Sequence, residues 1–304
     1  SKNYLIKTNS ENKKHINNVI KRLEASRKLY EEDFPPSKPI TNVSVVRICA
    51  TQKEFSMYGN TSAGVAGYFN PRSEELVLYF DRNSGPDMTL AVMTHEGFHQ
   101  YCHFLFNRSE AHRWFDEGHG DYYGAFKLVG SSLKPNSDMK GGLARVPIIK
   151  AMFKEGTIKP ISEHIRYSHS QWQNQGPSNV SCYAQSFSLI FFLREGTRGR
   201  VSKRYWEKEY SEIIPNYIQH LSEGYTEAYA NLVKETEEEL KLLKESDADY
   251  NLIKNKEDII AAPWNFLPQR TKDDIWAKAM GESWGKIDES EFEKKWLGFV
   301  EKDL

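Results

Sequence analysis

The chain has 304 residues, enough for one large domain or two average ones and for a substantial buried core. Its 41 basic and 42 acidic residues nearly cancel, so no global field draws nucleic acid or an anionic membrane to it. A mean hydropathy of −0.67 describes a well-solvated chain, and the longest apolar run, Phe187 to Leu193, falls far short of the ~20 residues of a membrane span.

Tyr4-Leu5-Ile6 reads as a short strand and Ser10 to Glu32 as a long helix, with Ile16, Val19, Ile20, Leu23 and Tyr30 toward one face. Phe34-Pro35-Pro36 ends that helix, because proline cannot continue it. Val43 to Cys49 alternates and is rich in β-branched residues, which predicts a strand. Leu76 to Phe80 predicts another, entered from the turn Asn70-Pro71-Arg72-Ser73. The turn Asn83-Ser84-Gly85-Pro86-Asp87 opens a helix, Pro86 being tolerable in its first turn. Beyond it almost everything reads helical, with polar breaks at Ser131–Gly142, Gln171–Ser181 and Thr197–Ser202. Lys234 to Lys244 reads as a solvated helix face, and Phe292, Trp296 and Val300, four apart, as a terminal helix docking on the core. The expected class is α+β, with three parts. Residues 1–85 form an N-terminal α/β subdomain, 86–200 an active-site helical subdomain, and 201–304 a C-terminal helical region packed on the same catalytic unit.

Cys49, Cys102 and Cys182 are widely spaced and form no CxxC pair, which argues against a disulfide framework or a cysteine-rich zinc ribbon. The first residues do not resemble a signal peptide and lack an initiator Met, which a removed leader or a start within a longer protein would each explain; the location stays open, with a secreted or periplasmic one favoured.

His95-Glu96-Gly97-Phe98-His99 carries the chemistry. On a helix, His95 and His99 project from one face and can reach a single Zn²⁺ at ~2.0–2.1 Å. Glu96, one step round, stands beside the ion, where it can take a proton from water and pass it to a leaving amine. Glu117 follows His99 by eighteen residues, room for one helix to end and a second to return beside it. Glu117 is the expected third ligand. Asp121, four residues on and on the same face, is the expected hydrogen-bond partner of a ligand imidazole, with an ordinary surface carboxylate as the alternative. His103 lies a further ~5.4 Å along the axis and should not reach the same ion. His112 and His119 read as structural, and Asp116 should point elsewhere if Glu117 faces the metal. A histidine-rich metzincin continuation is excluded, since Cys102 and Leu105 stand where it needs Gly and His.

His95-Glu96-x-x-His99 followed by Trp114-x-x-Glu117-Gly118-x-x-x-Tyr122 resembles the gluzincin clan of zinc peptidases, most closely the peptidase-MA-like family of bacterial proteins. The likeness extends to Ala63–Phe69, to Cys182–Leu189 and to the closing aromatic helix around Trp296. It implies one Zn²⁺ per chain on His95, His99 and Glu117, Glu96 as catalytic base, Asp121 behind the ligands, and a peptide or protein substrate. It also implies a Tyr or His donor for the oxyanion, since charge develops on the carbonyl oxygen. Tyr183 is the candidate, a buried core tyrosine being the alternative; His164, Tyr167 and His169 are reserves. Gluzincin aminopeptidases carry an acidic amine anchor on the edge strand, whereas Gly64–Asn70 has no acidic residue, so an endopeptidase is the expectation. Those glycines leave room for a peptide beside the strand, or simply make a turn. The rival readings are a zinc-containing scaffold that has lost catalysis, a hydrolase acting on a non-peptide amide, and a metal-free structural domain.

Overall fold

Alternating apolar residues at the amino end build a small mixed sheet against two long helices. The computed structural model describes residues 1–61, 65–79, 85–135, 145–176, 179–246 and 248–304. Strands β1 (Tyr4–Thr8), β2 (Ser44–Cys49), β3 (Gly67–Asn70) and β4 (Glu75–Tyr79) lie in the order β1-β2-β4-β3. The first two and β4 run parallel, and β3 closes one edge antiparallel to β4, Phe69 opposite Leu76. Parallel neighbours need a crossover, and the helix α1 (Lys13–Asp33) supplies the one between β1 and β2. It begins later than the sequence predicts because the Asn12 side chain accepts from His15 N at 3.0 Å and caps it there.

Period-two alternation sends Tyr4, Val46, Ile48, Leu76 and Leu78 to one face of the sheet. There they pack on Val19 and Leu23 of α1 and on Met93 of the helix α3 (Gly85–Leu105). Each such side chain, fully buried, contributes about 1.5–3 kcal/mol. Val77 and Tyr79 face the other way onto Phe55 of the short helix α2 (Gln52–Gly59), so β4 is buried throughout. The helix α2 is absent from the sequence-based reading: eight residues are too few for a clear period. Phe80, Asn83 and Ser84, with the first part of Ala63–Phe69, lie outside the described residues.

Further helices follow α3. The helix α4 (Arg113–Gly124) lies against both α3 and the helix α8 (Val180–Thr197). Gly118 permits the second contact, since a Cβ there would sit 2.6 Å from Ile190 and 2.8 Å from the Ser186 carbonyl. Directly after α4 the chain is not helical, contrary to expectation. Phe126–Val129 (β5) and Ser132–Pro135 (β6) pair antiparallel through a tight turn at Gly130, whose φ is +64°. Four-residue strands with a single apolar alternation leave little period to read. The short helices α5 (Val146–Glu155), α6 (Ile161–His164) and α7 (His169–Gln173) lead to α8.

Two compact units emerge: residues 1–105, 111–206 and 290–304 form one, and 106–110 with 207–289 the other. The second is a helical assembly of α9 (Ile213–Glu245), α10 (Tyr250–Ala261) and α11 (Gln269–Ser283), in which Tyr217, Leu221, Tyr225 and Ile275 are buried. The charged side chains of Lys234–Lys244 are exposed on α9, as expected. The last helix, α12 (Glu289–Lys302), buries Phe292, Trp296 and Val300 as its spacing predicts. Phe292 and Phe299 meet Phe192 of α8 with ring centroids 5.5 and 5.3 Å apart. The architecture is α+β with helices dominant. Among the described residues no helix is long and apolar enough to cross a membrane, and Cys49, Cys102 and Cys182 are buried free thiols.

Candidate metal centre

The helix α3 is fixed from behind before it presents any chemistry. Arg22 of α1, buried, donates from Nε to Thr94 Oγ1 at 2.6 Å, and Tyr30 Oη donates to the Thr94 carbonyl at 2.7 Å. Gln100 Nε2 donates to the carbonyls of Val45 and Glu74 at 3.1 and 2.9 Å, tying the same helix to the sheet. Between these anchors His95 and His99 project from one face toward α4. Gly120 lets the two helices close on each other, because a Cβ there would stand 2.8 Å from His95 Cε1 and Nδ1.

Three side-chain atoms converge. His95 Nε2 and His99 Nε2 are 2.9 Å apart, and Glu117 Oε2 lies 3.1 Å from the first and 3.3 Å from the second. His95 and Glu117 are buried and His99 nearly so. Among the described residues no other His, Cys, Asp and Glu side chains cluster as three possible ligands. Two ligands of a tetrahedral zinc at ~2.0–2.1 Å stand ~3.3–3.4 Å apart, so the triangle fits such an ion with an opening of a few tenths of an ångström.

The chemistry of the donors argues for a cation more strongly than the distances do. Asp116 Oδ1 lies 2.8 Å from His99 Nδ1, and Asp121 Oδ1 3.1 Å from His95 Nδ1. The second contact is off the line of a good hydrogen bond, yet the fully buried Asp121 carboxylate is still what that nitrogen faces. A carboxylate only accepts, so each imidazole turns a protonated Nδ1 toward its carboxylate and Nε2 inward. With Nε2 unprotonated on both rings, two lone pairs and a carboxylate oxygen would meet with no donor among them. Only a cation or shared protons reconcile them. The titration behaviour reflects the same demand. Burial opposes a charge on His95, but Asp121 and Glu117 outweigh it and lift the imidazole to about 9. His99 is likewise raised against burial by Asp116 and Glu117, and Glu117 is held well below the usual carboxylate range by His99 and His95.

Asp121, predicted to accept a hydrogen bond from a ligand imidazole, lies 3.1 Å from His95 Nδ1 without the geometry of one. Asp116 is a correction: it does not point elsewhere but takes the far edge of the His99 ring. Outside these carboxylates lie two guanidiniums that the sequence did not single out. Arg145 Nε donates to Asp121 Oδ2 at 2.8 Å, and Arg113 Nη1 donates to Glu117 Oε1 at 2.9 Å. Arg113 precedes Glu117 by one helical turn, a spacing that could have been read; nothing local marks Arg145.

Glu96 stays out of the triangle. Its Oε2 accepts from the Phe69 N–H of β3 at 3.0 Å, and burial, with Glu117 nearby, raises its pKa although His99 and His95 pull the other way. β3 comes this close because its first residue is Gly67: a Cβ there would press on Val92 at 3.0 Å. Residues 67–70 thus form an edge strand, while Gly64 lies outside the described residues.

Tyr183, half-buried at the start of α8, has its ring centroid 6.5 Å from that of His95, with the Arg145 guanidinium 5.5 Å over its face. Burial and the nearby Glu117, Glu96 and Asp121 raise its pKa, which keeps the hydroxyl protonated. No comparison finds a relative. No known family matches the chain, and neither does any curated protein or solved structure. Assignment of the site rests on its residues alone.

The remaining candidates are occupied elsewhere. His103 pairs with Glu74 at 3.4 Å, His119 is fully buried in a box of Phe34, Phe98, Phe115 and Tyr123, and His112 is buried. His164 Nε2 lies 2.7 Å from Ser186 Oγ, Tyr167 donates to Glu163, and His169 meets Arg113.

Proposed function

We propose that this chain is a zinc-dependent peptidase of gluzincin type, with His95, His99 and Glu117 as ligands of one Zn²⁺. The observation that carries the reading is the meeting of two imidazole Nε2 atoms and a carboxylate oxygen, each imidazole with its own carboxylate beside Nδ1. Zinc there would supply Lewis acidity, polarising a scissile carbonyl and making water nucleophilic at neutral pH. In this reading Glu96 moves the proton: Oε2 accepts from the Phe69 N–H, which leaves Oε1 to take a proton from the attacking water and return it to the leaving amine. The protonated Tyr183 hydroxyl has no hydrogen-bond partner among the described residues and is available to the oxyanion. The absence of an acidic residue from Gly64–Asn70 favours internal cleavage over recognition of a free amino terminus.

Elemental analysis, paired with a peptide-library cleavage profile of the wild type and of Glu96→Gln, tests this. One zinc per chain, hydrolysis by the wild type and a loss of at least about 10²–10⁴-fold in the zinc-loaded variant are expected. Zinc without any cleavage would favour a scaffold, and cleavage that survives in zinc-loaded Glu96→Gln would refute the mechanism. Absence of stoichiometric metal would favour a purely structural cluster.

A further inference from the structure

Arg113 occupies a position that helix formation does not explain. It is the first residue of α4, where the helix dipole disfavours a cation, and it precedes Glu117 by four residues, the weaker order for an ion pair on a helix. What it does there is divide a carboxylate. Its Nη1 donates to Glu117 Oε1 at 2.9 Å, while Oε2 of the same group faces the two imidazole nitrogens at 3.1 and 3.3 Å. The guanidinium is itself seated from α7, where Nε donates to His169 Nδ1 at 3.2 Å. Glu117 is buried, so its second oxygen is shielded from bulk solvent and needs a fixed partner.

We propose that Arg113 is a positioning residue that keeps Glu117 a one-oxygen metal ligand, and that His169 holds Arg113 in place; the inference rests on the metal reading above. A carboxylate free to rotate can bind through both oxygens and so fill a coordination position that a hydrolytic site leaves open to water or substrate. Arg113 prevents this by engaging Oε1 throughout.

The test uses the full chain loaded with Co²⁺, whose visible absorption is several-fold stronger with four ligands than with five, together with zinc affinity by chelator competition. Arg113→Ala is expected to weaken the cobalt band and to lower zinc affinity about 10–100-fold. Arg113→Lys should restore much of both, since an ammonium can still reach Oε1. His169→Ala, a change at an exposed ring, should move both in the same direction by less. A wild-type cobalt spectrum in Arg113→Ala, with zinc affinity within about twofold, overturns the proposal. Should that variant fail to fold, His169→Ala decides, with wild-type values overturning and a shift supporting. A wild type that takes up no stoichiometric metal defeats the metal reading itself, whereas metal binding unaffected by Arg113 defeats only this role.

Discussion

Replacing Gly120 with alanine should unseat His95 while leaving its chemistry untouched. The new Cβ would lie 2.8 Å from His95 Cε1 and Nδ1 and 3.0 Å from Cγ, against ordinary contacts that begin at 3.4 Å. Either the ring retreats by about half an ångström or the two helices part by as much, and a metal ligand tolerates only ~0.2 Å. Overpacking of this kind costs about 1–3 kcal/mol, and His95 cannot move away cheaply because Thr94 beside it is pinned by Arg22 and Tyr30. Gly120→Ala should therefore remain folded, with a lower melting temperature, and bind zinc at least about tenfold more weakly. Chelator competition on the purified variant measures the second effect, and thermal unfolding in chelator isolates the first. Wild-type affinity together with wild-type stability would mean that α3 and α4 do not approach as closely as described.

Two further outcomes follow from the same geometry. Asp116→Ala removes the acceptor that fixes the His99 ring at 2.8 Å, so zinc affinity should fall about 10–100-fold. Equal affinities by chelator competition would show that Asp116 does nothing for the imidazole. His164, buried against Ser186, has its pKa lowered by burial to about 3, below the 6.5 of an exposed imidazole. The unfolded chain then takes up this proton first, so the stability His164 confers is complete above about pH 6.5 and declines as pH falls toward 3, at up to about 1.4 kcal/mol per pH unit. Denaturant titrations between pH 7.5 and 5 should give a shallower dependence for His164→Gln than for the wild type; identical slopes would contradict a neutral buried imidazole.

The parts of the site that were legible in the sequence are those governed by spacing along one helix. His95 with His99, and Glu117 with Asp121, are each four apart, and the helical repeat alone puts each pair on one face. The position of Asp116 does not follow from a ligand cluster pictured with a single face. An imidazole ligand needs an acceptor on its far edge as well, and α4 crosses α3 so that adjacent residues of α4 serve opposite edges of one ring: Glu117 on Nε2, Asp116 on Nδ1. Arg145 comes from a distant segment, and no local pattern announces such a contact. In the fold, long helices and the all-apolar strand β4 were readable, whereas α2 and the β5–β6 hairpin were too short to show a period.

The hydrogen bond from Phe69 to Glu96 has a bearing on how the sheet edge meets other chains. An edge strand usually displays a row of free N–H groups that invites any passing strand to pair with it. Here one of those donors is already turned onto a buried carboxylate. A peptide lying along β3 has either to leave this rung of the ladder unmade or to draw the N–H away from Glu96, loosening the carboxylate proposed to handle the proton. Strand pairing and the proposed proton transfer would thus compete for one hydrogen atom, and the edge is guarded against indiscriminate pairing by the residue to which the proposal gives the proton.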